Sequence, residues 1–378
     1  MISPRCFVGA LKSIQIDFFT GVPDSLLKNI CAYITDNSSI ENNIIAANEG
    51  AAIGLATGYY LSTNRIPVVY MQNSGLGNTV NPLLSLTDKE VYNIPVLLLI
   101  GWRGEPGVKD EPQHIKQGKV TLPLLDAMGI KYAVLSQNEA DFAEQLKFAK
   151  TYMDSTKEPF AFIVQKDTFE DYKLQRQTNY VFSLDRESAI QIVASSLDSN
   201  AVVVSTTGMI SRELFEYRER VNRGHESDFL TVGSMGHASQ IALGIALHKK
   251  EKRVYCFDGD GATLMHMGSL AVIGSLCPTN YVHVVFNNGA HDSVGGQPTV
   301  GLQINLPLVA EACGYRKTFS VSKSDMLQQV LNQIRETQGP VFLEIKVKKG
   351  SRKDLGRPTT TPIQNKEALM NFLSKELE

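Results

Sequence analysis

At 378 residues the chain is too long for one ordinary domain and fits two of roughly 150–200 residues each. A formal net charge of −2 gives neither the basic excess of a nucleic-acid binder nor the acidic block of a disordered tail. No window approaches the roughly 18 unbroken apolar residues of a membrane span, and residues 1–16, with Arg5 and Lys12, lack the apolar centre of a secretory signal, so neither nucleic acid nor membrane is an expected partner.

In chain order, a helical stretch over residues 48–61 precedes apolar, β-rich runs at 66–71, 96–100 and 161–165. Residues 165–182 are polar, charged and poor in aliphatic side chains, which reads as a linker. A second series follows, with β-rich runs at 201–205, 253–257, 281–286 and 341–347 and helices over 237–248 and 323–337. Apolar strands alternating with helices predict an α/β fold of parallel sheets covered on both faces. The expected domains are 1–167 and 183–378, joined by a linker at 168–182, with an ordered loop at 356–362 and a closing helix at 366–377. Both halves carry a Gly-rich corner after a strand, at 72–78 and 259–262, so two sheets of similar architecture are expected without a tandem repeat. Five scattered cysteines, free of any CxxC pair, predict neither a disulfide framework nor a zinc site and suit a reducing cytoplasm; Cys31, Cys256 and Cys313 sit among apolar neighbours as core residues.

The second corner carries the strongest chemistry. The strand at 253–257 runs into Asp258-Gly259-Asp260-Gly261-Ala262, and after the 25 residues from Ala262 to Phe286 another strand delivers Asn287-Asn288-Gly289-Ala290. Two strand ends of a parallel sheet can present a carboxylate and an amide at the same carboxyl edge, where ligands of such sheets bind. A hard divalent cation takes oxygen ligands of this kind and keeps further positions for phosphate and water. Asp260 supplies one oxygen, an Asn amide a second and a loop carbonyl a third. Gly259 and Gly261 let backbone approach a phosphate, and a helix over 262–268 offers N–H groups to the anion.

GDG, about 25 residues, then NN resembles the cofactor-binding motif of thiamine-diphosphate enzymes. The resemblance implies thiamine diphosphate held through Mg2+, or another divalent cation such as Mn2+, with ligands at Asp260, Asn288 and the carbonyl of Ala290. It also implies a buried glutamate that bonds the cofactor's pyrimidine ring and so promotes loss of the thiazolium proton. Asn48-Glu49-Gly50-Ala51-Ala52 opens a small-residue helix without a charged face, expected to be buried all round, and resembles the segment that carries this glutamate. Glu49 is therefore the expected activating acid. Val232-Gly233-Ser234-Met235-Gly236 resembles the segment whose bulky residue, here Met235, bends the cofactor, with the Gly233 carbonyl as a further contact and Gly208 nearby. Asn73, Ser74 and Gly75 in the first corner complete the expected cofactor-binding set.

Larger family members carry a third domain that this chain lacks. Its halves resemble the group of phosphonopyruvate and sulfopyruvate decarboxylases, through Thr20-Gly-Val-Pro-Asp24, Lys109-Asp-Glu-Pro-Gln-His114, His291-Asp-Ser-Val-Gly-Gly-Gln297 and Leu355-Gly-Arg357-Pro-Thr359. The resemblance implies non-oxidative decarboxylation of a 2-oxo acid bearing a phosphonate or sulfonate. Fusion of the halves and the GRPT segment favour 3-phosphonopyruvate, giving phosphonoacetaldehyde and CO2, with sulfopyruvate, giving sulfoacetaldehyde, as the alternative. Asp24, His114 and His291 are the candidate proton donors; no His-His pair like that of pyruvate decarboxylases is found in the sequence. Arg103, Lys109, Lys116, Arg212 and Arg357 are candidate anchors for the phosphonate. At least a homodimer, with active sites between subunits, is implied by the family. A nicotinamide-dependent dehydrogenase fits less well, since Val80 stands where a third glycine should follow Gly75 and Gly77. A catalytically inactive binding protein would be expected to have lost Glu49 or Asp260.

Overall fold

The protein, described here by a computed structural model over residues 1–176 and 181–375, divides into two compact units: residues 1–178 with 294–297, and residues 179–293 with 298–378. In the first unit, β1 (Phe19–Gly21), β2 (Asn43–Ile45), β3 (Val68–Gln72), β4 (Leu97–Gly101), β5 (Lys131–Val134) and β6 (Phe160–Val164) form a wholly parallel sheet in the order β2-β1-β3-β4-β6-β5. Side chains alternate between its faces. Val68 and Tyr70 of β3 pack into one apolar core, while Val69 and Met71 pack into the other. Helices cover both faces, so strands as apolar as β4 are buried throughout.

The second unit repeats this plan with β7 (Val202–Ser205), β8 (Asp228–Leu230), β9 (Val254–Gly259), β10 (Tyr281–Asn287), the two-residue strands β11 (Ala290–His291) and β12 (Gln297–Pro298), β13 (Lys317–Val321) and β14 (Val341–Lys346). Its six-stranded parallel sheet runs β13-β14-β10-β9-β7-β8. Counted from the first strand of each half, both sheets read 2-1-3-4-6-5. The strand order reverses between the first and third strands of each sheet, and that is where an open parallel sheet leaves a crevice at its carboxyl edge.

The expected β-rich runs appear within two residues of their predicted ends, whereas β1, β2, β5, β8 and β13 lacked a clear pattern. The polar segment after β6 is anchored at its start: Phe169 is buried, the Tyr172 hydroxyl donates to Asp36 at 3.1 Å, and the N–H groups of Gln175 and Arg176 donate to Asp36 at 2.7 and 2.8 Å. Residues 177–180 of the expected linker lie outside the described residues, as do residues 376 and 377 of the closing helix, which runs Pro362–Ser374. Two expectations need correction. The helix Glu49–Thr63 is not buried all round in the single chain, because Ala51, Gly54, Leu55, Gly58 and Leu61 form an exposed face. The helix expected over 262–268 is instead Asp260–Met265, which breaks before a new helix at Ser269–Leu276. Cys31 and Cys256 are buried as expected, Cys313 only partly, and all five cysteines are free. Among the described residues no helix is long and apolar enough to cross a membrane.

Candidate active site

In the first unit, polar side chains gather where the strand order reverses. Asp24 follows β1 and is fully buried. Its Oδ1 accepts from Gln72 Nε2 at 2.5 Å, at the end of β3, and its Oδ2 accepts from the Leu26 N–H at 2.9 Å. Ser74 Oγ donates to Gln72 Oε1 at 2.6 Å. Asn73 is a brace: its amide nitrogen donates to the Arg103 carbonyl at 2.8 Å and to Thr121 Oγ1 at 2.9 Å, and its oxygen accepts from the Arg103 N–H at 3.2 Å.

Glu49 is the first residue of its helix, behind the cap Asn48, whose side chain accepts from the Ala51 N–H at 2.9 Å. The carboxylate is buried; Oε2 accepts from Asn78 Nδ2 at 2.8 Å, while Oε1 lies against Gly75, where an added Cβ would stand only 2.3 Å away. Glycine at 75 therefore makes room for the acid. His114 is buried with no hydrogen-bond partner for Nδ1, and burial, followed by the nearby Arg103 cation, lowers its pKa. Arg103 is already committed, with Nε and Nη2 on the two oxygens of Asp110 and Nη1 donating to Ser25 Oγ at 2.6 Å. Lys109 and Lys116 are exposed.

The second unit presents its own set beside β7 and β9. Gly208 follows β7 at φ +103°, a conformation that calls for glycine, and Gly233 donates its N–H to Thr207 Oγ1 at 3.0 Å. Gly233, Ser234 and Gly236 all have positive φ, so this segment is a tight turn that carries Met235. Met235 Cε comes within 3.4 Å of the position a Cβ on Gly261 would take, and His291 Cε1 within 2.9 Å. Gly261 is thus roofed by Met235 and His291. Burial drives the His291 pKa down to about 4, against the opposing pull of Asp292, so its ring is neutral at pH 7.

Asp260 follows β9 as the first residue of the Asp260–Met265 helix and is buried. Thr299 Oγ1 donates to its Oδ2, and the Asn288 backbone N–H also donates to the carboxylate. Gly301 packs so closely that a Cβ there would lie 2.7 Å from the Asp260 Cβ. Asn287 is structural: its amide nitrogen donates to the Gly301 carbonyl at 2.8 Å and to Glu344 on β14 at 2.7 Å. Asn288 donates through Nδ2 to Asp292 Oδ2 at 2.7 Å, and its Oδ1 accepts from the Ala290 N–H at 3.0 Å. Arg212 is half-buried with no ion pair among the described residues, and burial lowers its pKa; Arg357 is exposed.

Residues 5–129 match the family model described as thiamine pyrophosphate enzyme, N-terminal TPP binding domain, and residues 206–345 match the corresponding C-terminal TPP binding domain. Over 379 aligned residues the chain is 33% identical to phosphonopyruvate decarboxylase of Streptomyces viridochromogenes, covering 96% of this chain and 93% of that protein. This chain belongs to the thiamine pyrophosphate enzyme family. Its cofactor is thiamine diphosphate, with Mg2+ as the family's accompanying ion. This thiamine pyrophosphate enzyme is also 32% identical to phosphonopyruvate decarboxylase of Streptomyces hygroscopicus, over 96% of this chain and 92% of that one. Sulfopyruvate decarboxylase of Methanosarcina acetivorans is 28% identical, over 96% of this chain and 94% of that protein. That relative aligns along both halves too, so fusion of the halves does not separate the two substrates, contrary to the sequence argument.

The second unit of this thiamine pyrophosphate enzyme fits a divalent cation. Asp260 is 2% exposed, and among the described residues no Lys, Arg or His pairs with it. Burial consequently pushes its pKa up to about 6, despite the hydroxyl and N–H that favour the charged form. A bound metal ion would be the missing countercharge. The Asp260–Met265 helix takes Gly259 as its cap residue, so the Gly259–Gly261 backbone is itself the N-terminus of this short helix.

Several residues of this region gave no signal in the sequence. Thr299 and Arg186 reach the Asp260 and Asn288 loops only through tertiary contacts, and Asp292, four residues after Asn288, had no role assigned within its resembling segment. The rings of His237 and His266 stand 4.5 Å apart beside the Met235 turn, a histidine pair that sequence spacing did not reveal. Cys256, Asp258 and His283 bring their ligating atoms within 4.8 Å of one another. They already satisfy each other, since His283 contacts Asp258 at 3.3 Å and Tyr315 Oη at 3.2 Å, and burial holds Cys256 as a thiol. Asp258 in turn accepts from the Gly259 N–H at 3.0 Å, so this network braces the turn.

Proposed function

We propose that the enzyme is a carboxy-lyase that converts 3-phosphonopyruvate to phosphonoacetaldehyde and CO2. The likeness to the Streptomyces viridochromogenes enzyme along nearly the whole of both chains carries this reading. In the reaction the C1–C2 bond of the oxo acid breaks, carbon dioxide leaves, and one proton is added at C2. Thiamine diphosphate, when bound, supplies a nucleophilic ring carbon and takes up the electron pair released with carbon dioxide.

The chain's own residues hold and orient. Asp260, the Asn288 amide oxygen and the Ala290 carbonyl are the metal ligands, Gly259, Gly261 and Ala262 give the diphosphate access to backbone, and Gly208 is a contact near the cofactor ring. Glu49 is the acid that bonds the pyrimidine ring, kept out of water beside Gly75. Met235 is the wedge, with Gly233 and Ser234 shaping its turn. Asn73, Ser74 and Gly75 form the polar wall beside Glu49. Asp24, His114 and His291 are the groups we assign to return a proton at C2, the neutral His291 ring having first to take one up. For the phosphonate, Arg212 is the anchor we assign, because a half-desolvated guanidinium without a carboxylate gains most from a dianion. Arg103 is occupied by Asp110, and Lys109, Lys116 and Arg357 are exposed.

The active species is a homo-oligomer. Gly54 and Gly58 have nothing within 4 Å of an added Cβ, so their small size is not required by their own chain. A second copy pressed against the face of Ala51, Gly54, Leu55, Gly58 and Leu61 would require it. The free cysteines accord with a cytoplasmic setting. A paired assay of CO2 release from phosphonopyruvate and sulfopyruvate, with and without thiamine diphosphate and Mg2+, tests the reading. Cofactor-dependent turnover with a kcat/KM at least tenfold higher for phosphonopyruvate is expected. The reverse preference would make sulfopyruvate the substrate, a reading that the Methanosarcina acetivorans relative supports.

A further inference from the structure

Arg186 occupies a position that two general rules disfavour. It is the first residue of the helix Arg186–Ser195, where the positive end of the peptide dipole repels a cation, and it is only 4% exposed. Two carboxylates offset both costs. Glu213 takes Nε at 2.8 Å and Nη2 at 3.0 Å in a bidentate pair, and Nη1 donates to Asp292 Oδ2 at 3.0 Å. Glu213 alone would neutralise the guanidinium, so neutralisation does not explain Asp292.

Asp292 has another partner. Its Oδ2 receives three donors: Arg186 Nη1, the Gly350 N–H at 2.9 Å and Asn288 Nδ2 at 2.7 Å. A carboxylate can only accept, so only the NH2 end of the Asn288 amide can face it. The amide cannot flip while that bond lasts, and Oδ1 is turned to the opposite side. There it accepts from the Ala290 N–H and keeps a second lone pair for another partner. One guanidinium between two carboxylates also leaves a net negative charge beside the loop.

We propose that Asp292, anchored by Arg186, is a positioning residue that locks the Asn288 amide with its oxygen toward the metal and its nitrogen away. The inference rests on the reading of Asn288 as a metal ligand. Outer partners of this kind change metal affinity by about 10–100-fold when removed. Arg186 keeps Glu213 in an Asp292→Ala variant, and Asp292 is itself partly exposed, so the fold is expected to survive.

The test is titration calorimetry of Mg2+ into the full-length protein mixed with a fixed excess of thiamine diphosphate, corrected by the same titration without protein, comparing the parent with Asp292→Ala and Asn288→Ala. Dissociation constants raised at least tenfold in both variants are expected, and activity lost by Asp292→Ala at low Mg2+ should return as Mg2+ is raised. If Asn288→Ala weakens the ion and Asp292→Ala leaves it unchanged, the positioning role is overturned while Asn288 remains a ligand. If neither variant changes the affinity, the ligand reading itself falls and takes the inference with it. Should circular dichroism show Asp292→Ala unfolded, Asp292→Asn makes the same comparison, because its amide can offer either face to Asn288.

Discussion

Asp260 concentrates the cost and the purpose of the site in one side chain. Folding raises its pKa from 3.8 to about 6, so the metal-free folded state binds this proton more tightly than the unfolded chain does. Stability from this group is fully present below pH 3.8 and is lost as pH rises through about 6, a loss on the order of 3 kcal/mol. Without metal and at pH 8, Asp260→Asn is therefore expected to melt several degrees above the parent, measured by circular dichroism, while losing Mg2+ binding. A lower melting temperature would show that the carboxylate is not the strained group. The spacing that marks Asp260 and Asn288 is legible in the sequence because each residue directly follows its own strand and the motif is local. Arg186 and Asp292 are 106 residues apart, and no periodicity or local spacing encodes their meeting. Arg212 was one of five equal cations in the sequence; burial without a carboxylate singles it out. Its replacement by Leu is expected to raise the KM for phosphonopyruvate at least tenfold with a smaller change in kcat, and an unchanged KM removes it as the anchor.

Among the elements, the helix Glu49–Thr63 does two jobs. Its first turn buries Glu49 against Gly75, and its outer face is apolar and lined by small residues. A Cβ added at Gly58 points into open space, so the effect of Gly58→Leu on the isolated fold should be slight. It is expected to shift sedimentation velocity toward monomer and lower activity with it; an unchanged oligomer would place the contact elsewhere. The sequence showed this helix as uncharged and apolar, which made it look buried on every side. Composition alone cannot distinguish burial within one chain from burial against a second. The strands at or next to the sheet edges were hidden for another reason. β1, β2 and β8 are three residues each, too short to display alternation, and β5 and β13 are only partly buried, so their composition is mixed. The early end of the Asp260–Met265 helix was equally invisible, since nothing in the run from His266 to Gly268 is a strong breaker except its last residue.

At the scale of the molecule, one strand order serves twice. The strand order of each sheet reverses between its first and third strands, and each reversal gathers candidate residues: Asp24, Gln72 and Glu49 near one, Asp260, Gly208 and Asn288 near the other. The alternation of apolar runs with helices made the α/β class readable from the sequence, but the matching order 2-1-3-4-6-5 required the register of the strands. The account's central claim is that thiamine diphosphate is held through a divalent ion on the Asp260 loop. The most direct test is calorimetry of thiamine diphosphate binding to the full-length protein with and without excess Mg2+, repeated with Asp260→Ala. Binding that needs Mg2+ in the parent and disappears in the variant is predicted; equally tight binding by Asp260→Ala, or binding indifferent to Mg2+, would contradict it.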